Sequence, residues 1–299
     1  MSTTHRLAAP DGTGLALHAA GAGDTAVVFV HGATFGARPA FDTPDRSWLA
    51  AVADAGRAAY ALDVRGYGDS DRPAAMDDPP GGDPPVRAPE AAGDLAAALD
   101  FVRKRHEVVH LVGYSWGSMI AGVALERGVS VDSVVLYAPV YRPDPERVSA
   151  FDPGDPPAPK REATREETRE RWDAHFGESE PDDYRDPGAF DAFWETLHEG
   201  QGVGPDSIAA PNGTLADLTA AARGERAYDA GAVTAPALVV RGSLDRTATR
   251  ADALGLYDAL GSDDREYAEL AGGSHFLAVE RRRGALFDRV AAFHDRVEP

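Results

Sequence analysis

The sequence predicts an α/β fold with a mostly parallel central sheet flanked by helices. Short Val- and Leu-rich runs bounded by Gly, Pro or Asp are typical of strands buried on both faces of such a sheet. These runs are Thr25–Val30, Ala58–Asp63, Val108–Val112, Ser133–Ala138 and Ala237–Arg241. Helix-like segments alternate with them at Asp45–Ala55, Pro89–Arg105, Gly117–Arg127, Thr247–Leu260 and Leu277–Arg296. Strands that alternate with helices indicate βαβ units and therefore an α/β architecture.

Two other stretches depart from this alternation. Arg6–Ala20 has an Asp-Gly turn between two short alternating runs, which predicts an antiparallel hairpin at the sheet edge. Residues 141–232 begin Pro-rich, contain no convincing strand and offer helical pieces. These pieces are Glu162–Phe176, Pro187–His198 and Thr214–Arg223. We therefore expect a core formed by residues 1–140 and 233–299, and a helical cap or lid formed by residues 141–232.

Composition excludes several classes of protein. The 299 residues contain no cysteine, so disulfides, thiolate metal sites and cysteine nucleophiles are ruled out. The net charge of −19 would repel nucleic acid and anionic membranes. No apolar run approaches the roughly 20 residues that span a bilayer, and the first ten residues do not read as a signal sequence. We expect a cytoplasmic location and a small-molecule substrate, with no metal or cofactor; the oligomeric state is open, and a homodimer is one option.

The strongest chemical signal is the pentapeptide Gly-Tyr-Ser-Trp-Gly at residues 113–117. It follows a strand-like run and precedes a helix-like segment, which is the context that gives G-x-S-x-G its meaning. A tight strand-to-helix turn leaves no room for flanking side chains and projects the serine hydroxyl above the sheet. Ser115 is therefore the predicted nucleophile.

A serine nucleophile needs a base, and the base needs an orienting acid. His275 follows a short strand-like segment, Glu266–Leu270, and precedes the last helix. Asp245 lies just past the strand-like run that ends at Arg241, where catalytic groups of such sheets collect. We predict His275 as general base and Asp245 as its partner, although Asp245 also suits a turn or helix N-cap.

The loop after the first predicted parallel strand, residues 31–36, reads His-Gly-Ala-Thr-Phe-Gly. Its small residues would let the backbone approach a substrate oxygen. The backbone N–H groups of Ala33 and Trp116 are the predicted oxyanion hole.

Together, these four segments in this order resemble the α/β-hydrolase superfamily, in its serine-nucleophile, cap-bearing branch. The resemblance covers roughly residues 6–140 and 233–297, and implies the α/β-hydrolase fold. Residues 63–70, Asp-Val-Arg-Gly-Tyr-Gly-Asp-Ser, also resemble a loop of this family, which we interpret as structural. Relatives that form an alkyl-enzyme ester have aspartate at the position of Ser115, so the serine favours acyl chemistry.

The expected activity is that of a carboxylesterase-like serine hydrolase acting on a small molecule. A carbon–carbon bond hydrolase, a non-hydrolytic acyltransferase or cyclase, and a ligand-binding protein without turnover remain alternatives. The cap would supply most of the substrate pocket, and the side chain of Trp116 would line it beside the nucleophile. Candidate pocket residues are Thr34, Phe35, Trp172, Phe176, Phe193 and Trp194, with Phe190 as a further aromatic. For any single aromatic of the cap, packing within the cap is the favoured role.

Overall fold

The computed structural model describes residues 3–298. The strands are β1 Thr3–Ala8, β2 Gly14–Ala20, β3 Thr25–Val30, β4 Ala58–Asp63, β5 Val108–Tyr114, β6 Ser133–Tyr137, β7 Lys160–Thr164, β8 Gly202–Gly204, β9 Ser207–Pro211, β10 Ala237–Gly242 and β11 Arg265–Leu270. The α-helices are α1 Ala37–Phe41, α2 Trp48–Asp54, α3 Ala88–Arg103, α4 Trp116–Glu126, α5 Arg165–Asp173, α6 Ala189–Gln201, α7 Gly213–Ala222, α8 Arg250–Ala259 and α9 Arg283–Val297. Within the described chain, no helix has the length and apolar character needed to cross a membrane.

Eight strands form the central sheet in the order β1-β2-β4-β3-β5-β6-β10-β11. The six strands from β4 to β11 in this order are parallel, and the β1–β2 hairpin adds antiparallel strands at one edge. Parallel register aligns Val30 with Gly113 and Gly242 with Leu270. The loops that follow β3, β5, β10 and β11 therefore leave the same edge of the sheet.

The predicted fold class is confirmed, with the six expected parallel strands in place. Several helices begin later than the sequence pattern predicts. The predicted helix from Asp45 starts at Trp48, because Ser47 caps it. The predicted helix from Thr247 starts at Arg250, because Thr249 and Asp252 form a capping box there. The predicted helix from Leu277 starts at Arg283, after a single 3₁₀ turn at Leu277–Val279.

The prediction that residues 141–232 contain no strand is wrong. A three-stranded antiparallel sheet in the order β7-β9-β8 accompanies α5, α6 and α7 in this segment. Strand β7 is polar and half-buried, so it lacks the apolar run that marks the central strands. Thr164 ends β7 and caps α5, which divides the helical piece expected over Glu162–Phe176. We refer to residues 141–232 as the insertion; the domain boundaries themselves stay a prediction.

Four buried histidines are expected to make the fold sensitive to acid. Burial lowers the pKa of His31, His110 and His294 below its ordinary value, and it lowers the pKa of His175 to about 4. The His294 ring stacks on His110 at 4.2 Å, and its Nε2 has no hydrogen-bond partner among the described residues. These histidines are neutral in the folded protein near neutral pH, whereas an unfolded chain would bind protons below about pH 6.5.

We therefore expect the free energy of unfolding to fall as the pH drops from about 7 to 5, by roughly 1.4 kcal/mol per pH unit for each such histidine below its unfolded pKa. Urea unfolding measured across this range tests the slope. His294→Phe should flatten the slope, because the variant removes one proton-binding difference between the two states. A wild-type midpoint that does not change between these pH values would contradict the prediction.

Candidate active site

A sharp turn between β5 and α4 carries Ser115. Its backbone has φ 54° and ψ −118°, a left-handed conformation that non-glycine residues rarely adopt. A Cβ atom at residue 113 would lie 2.6 Å from the carbonyl oxygen of Gly117, and a Cβ at residue 117 would lie 2.3 Å from that of Val30. Both glycines are therefore required by close backbone approach. The turn projects Ser115 at the carboxyl edge of the sheet.

Ser115, His275 and Asp245 form one line of hydrogen bonds. His275 Nε2 lies 3.0 Å from Ser115 Oγ, and His275 Nδ1 lies 2.8 Å from Asp245 Oδ2. Asp245 Oδ1 accepts from the backbone N–H groups of Thr247 and Ala248, both at 2.8 Å. Since a carboxylate only accepts, Nδ1 of His275 donates to it and Nε2 is left to accept from the serine hydroxyl.

Electrostatics favours a charged Asp245. Burial of Asp245 opposes ionisation, but attraction to the imidazolium form of His275 and the hydrogen bond between them outweigh burial. The pKa of Asp245 therefore lies below its usual value. An ionised partner stabilises positive charge on His275, which is the state reached when the imidazole takes a proton.

The loop that holds His275 is anchored by residues that sequence reasoning missed. The hydroxyls of Tyr114 and Tyr137 both donate to the carbonyl oxygen of His275, at 2.9 and 3.2 Å. Buried Glu280 accepts from the backbone N–H and hydroxyl of Ser274, and from Trp172 Nε1 at 2.9 Å. Burial raises the pKa of Glu280, although the hydrogen bonds from these donors act to lower it. Glu280 thereby joins the histidine loop to the insertion.

The loop after β3 lies directly against the serine. A Cβ at residue 32 would lie 2.9 Å from Cβ of Ser115, so Gly32 allows this approach, and Ala33 is the next residue. Trp116 is the first residue of α4, where backbone N–H groups have no partner within the helix. The two predicted oxyanion donors therefore belong to the residues that follow Gly32 and Ser115, and their role stays a prediction. The indole of Trp116 is fully buried and donates to Asp217 Oδ2 at 3.0 Å.

Gln201, the last residue of α6, holds this loop in place. Its Nε2 donates to the carbonyl oxygens of Thr34 and Ala209, at 2.9 and 3.1 Å, and its Oε1 accepts from the N–H of Gly36 at 2.7 Å. Thr34 has φ 88°, an unfavourable value for a β-branched residue. A glutamine at a helix end has no local signature, so sequence reasoning did not identify it.

The predicted pocket aromatics pack largely against one another. The buried aromatic cluster contains Phe35, Trp172, Phe176, Phe190, Phe193, Trp194 and Phe276. Trp172 stacks on Phe276 at 4.8 Å, and His175 of the insertion stacks over His275 at 6.0 Å. The cluster connects the insertion to the core beside the site. Contact of these residues with a substrate stays a prediction.

One group of potential metal ligands lies within the described residues. His18, Asp63 and Asp69 have donor atoms within 4.8 Å of one another. Asp63, however, already accepts from the N–H groups of Ala37 and Asp69 and is hydrogen-bonded to His18 at 2.7 Å. These bonds anchor the loop after β4, which agrees with the structural interpretation of residues 63–70.

The fold and the site define a class: α/β proteins with a hydrogen-bonded serine, histidine and aspartate at the carboxyl edge of a mostly parallel sheet. The chain belongs to the alpha/beta hydrolase family, whose family model matches residues 27–289.

Solved structures that resemble this chain include several enzymes. An esterase from Exiguobacterium antarcticum has 17% identity and a TM-score of 0.70, with 97% of this chain and 99% of that chain covered. E-2-(acetamidomethylene)succinate hydrolase has 20% identity and a TM-score of 0.70, with 99% and 100% covered. A bromoperoxidase from Bacillus anthracis has 18% identity and a TM-score of 0.68, with 98% and 100% covered. At these identities the likeness shows the fold alone. No curated protein matches the sequence.

Proposed function

We propose that this protein is a serine hydrolase that cleaves a carboxylic ester, or a related acyl compound, of a small molecule. The observation that carries the proposal is the continuous hydrogen-bonded line from Ser115 through His275 to Asp245, at 3.0 and 2.8 Å. Membership of the alpha/beta hydrolase family supports a hydrolase. An esterase among the similar structures agrees with the finer assignment without establishing it.

In the proposed mechanism, Ser115 Oγ attacks the substrate carbonyl while Nε2 of His275 takes the hydroxyl proton. Asp245 stabilises the imidazolium that forms. The carbonyl oxygen becomes an oxyanion and accepts hydrogen bonds from the N–H groups of Ala33 and Trp116. His275 then gives its proton to the leaving group as the carbon–oxygen bond breaks. Water, deprotonated by His275, attacks the acyl-enzyme and releases the acid and free Ser115.

Covalent labelling with a fluorophosphonate tests this proposal most directly, because the probe reacts only with an activated serine. We expect one equivalent of probe on wild-type Ser115, located by peptide mass spectrometry, together with turnover of p-nitrophenyl acetate and butyrate. Ser115→Ala should lose both. Exposed Ser130 provides the matched control, and Ser130→Ala should retain both. A wild-type protein that shows neither labelling nor turnover would contradict the serine-hydrolase proposal.

Acyl transfer or cyclisation is the second candidate, and the closed geometry of the site favours it. Ser115 is only 5% exposed and His275 only 3%. A site that excludes water protects an acyl-enzyme from hydrolysis and leaves it to another nucleophile. Labelling of Ser115 without hydrolysis of simple esters would favour this candidate. Hydrolysis of the acyl-enzyme by water would favour the first.

A further inference from the structure

Two arginines of the insertion converge on one hydroxyl beside the serine. Thr34 Oγ1 accepts from Nη2 of Arg161 at 2.8 Å and from Nη1 of Arg171 at 3.0 Å. Arg161 lies on β7 and Arg171 on α5, so two separate elements bring the guanidinium groups together. Their common acceptor lies in the loop whose Gly32 contacts Ser115.

Neither guanidinium group has an acidic partner. Over residues 3–298, no carboxylate lies within ion-pairing distance of Arg161 or Arg171, although the chain has 49 acidic residues. The other acceptors of Arg161 are neutral: the carbonyl oxygen of Pro211 at 2.7 Å, Asn212 Oδ1 at 3.1 Å and Thr214 Oγ1 at 3.4 Å. Among the described residues, no direct ion pair therefore compensates the positive charges of these two arginines.

Among the described residues, the three least exposed arginines each contact a carboxylate. Arg65 contacts Asp94 at 2.6 Å, Arg185 contacts Asp173 at 2.7 Å, and Arg241 contacts Glu269 at 2.6 Å. Placing two cations near each other without an anion is costly, because each disfavours the other. Arg161 and Arg171 instead share one neutral acceptor, the hydroxyl of Thr34.

Both arginines keep accessible surface in the folded protein. Arg171 is exposed and Arg161 is half-buried. Even so, desolvation lowers the pKa of both guanidinium groups, and repulsion by Arg161 lowers that of Arg171 further. His175, four residues after Arg171, stacks over His275, so this part of the insertion lies next to the predicted catalytic histidine.

We propose that Arg161 and Arg171 bind a free carboxylate on the substrate, so that the natural substrate is an acyl compound that carries a second, ionised carboxyl group. Arginine presents parallel N–H donors that match the two oxygens of a carboxylate. The neutral hydroxyl of Thr34 offers those donors only a single oxygen. This inference rests on the proposed function of Ser115, and it names the class of substrate for the same site.

Two esters of equal chain length separate the inference from the function it rests on. We would compare kcat/KM for mono-p-nitrophenyl adipate, which carries a free carboxylate, with that for p-nitrophenyl hexanoate, which ends in a methyl group. Wild-type protein should prefer the adipate ester by about 10- to 100-fold, the range expected for charge-assisted hydrogen bonds. Arg161→Met and Arg171→Met should each lower this ratio by about tenfold or more, and Arg171→Lys should lower it less than Arg171→Met.

Arg169→Met is the matched control, because Arg169 lies on the same helix and pairs with Asp191 instead. This variant should keep the wild-type ratio. A wild-type preference for the hexanoate ester would overturn the inference even if the methionine variants fail to fold. A preference for the adipate ester that both methionine variants retain would also overturn it. In either case, hexanoate turnover or labelling of Ser115 would leave the proposed function standing.

Discussion

Ser115→Ala and His275→Ala are each expected to lower kcat for p-nitrophenyl butyrate by roughly 10⁴- to 10⁶-fold. The reason is the hydrogen bond of 3.0 Å between Ser115 Oγ and His275 Nε2, which makes the two side chains one proton-transfer unit. Steady-state kinetics at pH 8 measures the effect. Ester turnover by contaminating enzymes must be excluded by preparing all variants identically.

The double variant makes this prediction sharper. Residues that act as a unit are not additive, so Ser115→Ala combined with His275→Ala should be about as slow as either single variant. His5→Ala provides a histidine control, because His5 lies on the edge strand β1 and contacts Phe101 rather than the site. A His275→Ala variant that retains near wild-type kcat would show that another group activates Ser115.

Asp245→Asn is expected to lower kcat by about 10⁴-fold while the protein stays folded. Both oxygens of Asp245 accept hydrogen bonds, one from His275 and the other from the N–H groups of Thr247 and Ala248. An amide has only one oxygen to accept with. If that oxygen stays with the backbone, the amide N–H faces His275 Nδ1 and selects the tautomer in which Nε2 carries the proton. That tautomer is unable to accept from Ser115.

The same kinetics and fluorophosphonate labelling, with circular dichroism as a check on folding, measure this loss. Asp258→Asn on the exposed side of α8 is the control and should behave as wild type. Unchanged kcat in Asp245→Asn would show that Asp245 does not orient His275. Asp245 would then have only the other role that its sequence position suggested, as a turn or N-cap residue. A folded variant with strongly reduced turnover would instead support its role in orienting His275.

Much of the fold can be read locally from the sequence. Strands such as β3 and β4 are short apolar runs, and their observed bounds equal the predicted ones. Burial on both faces of a parallel sheet requires nearly continuous apolar side chains, and this leaves a plain signal. The Ser115 turn is also recognisable from the sequence, because G-x-S-x-G lies between a strand-like run and a helix-like segment. The strands of the insertion lack this signal, since β7 is polar and β8 has three residues.

The sequence by itself therefore determined the fold class, and it identified Ser115, Asp245 and His275 as residues that lie together. Each of them follows a strand of one parallel sheet, so their proximity results from topology. Only the tertiary structure decided what surrounds them. Gln201 and the pair Arg161 and Arg171 come from the insertion, and each reaches the loop after β3 across more than a hundred residues of chain. Such contacts depend on how separate elements pack, and neither periodicity nor residue spacing records that packing.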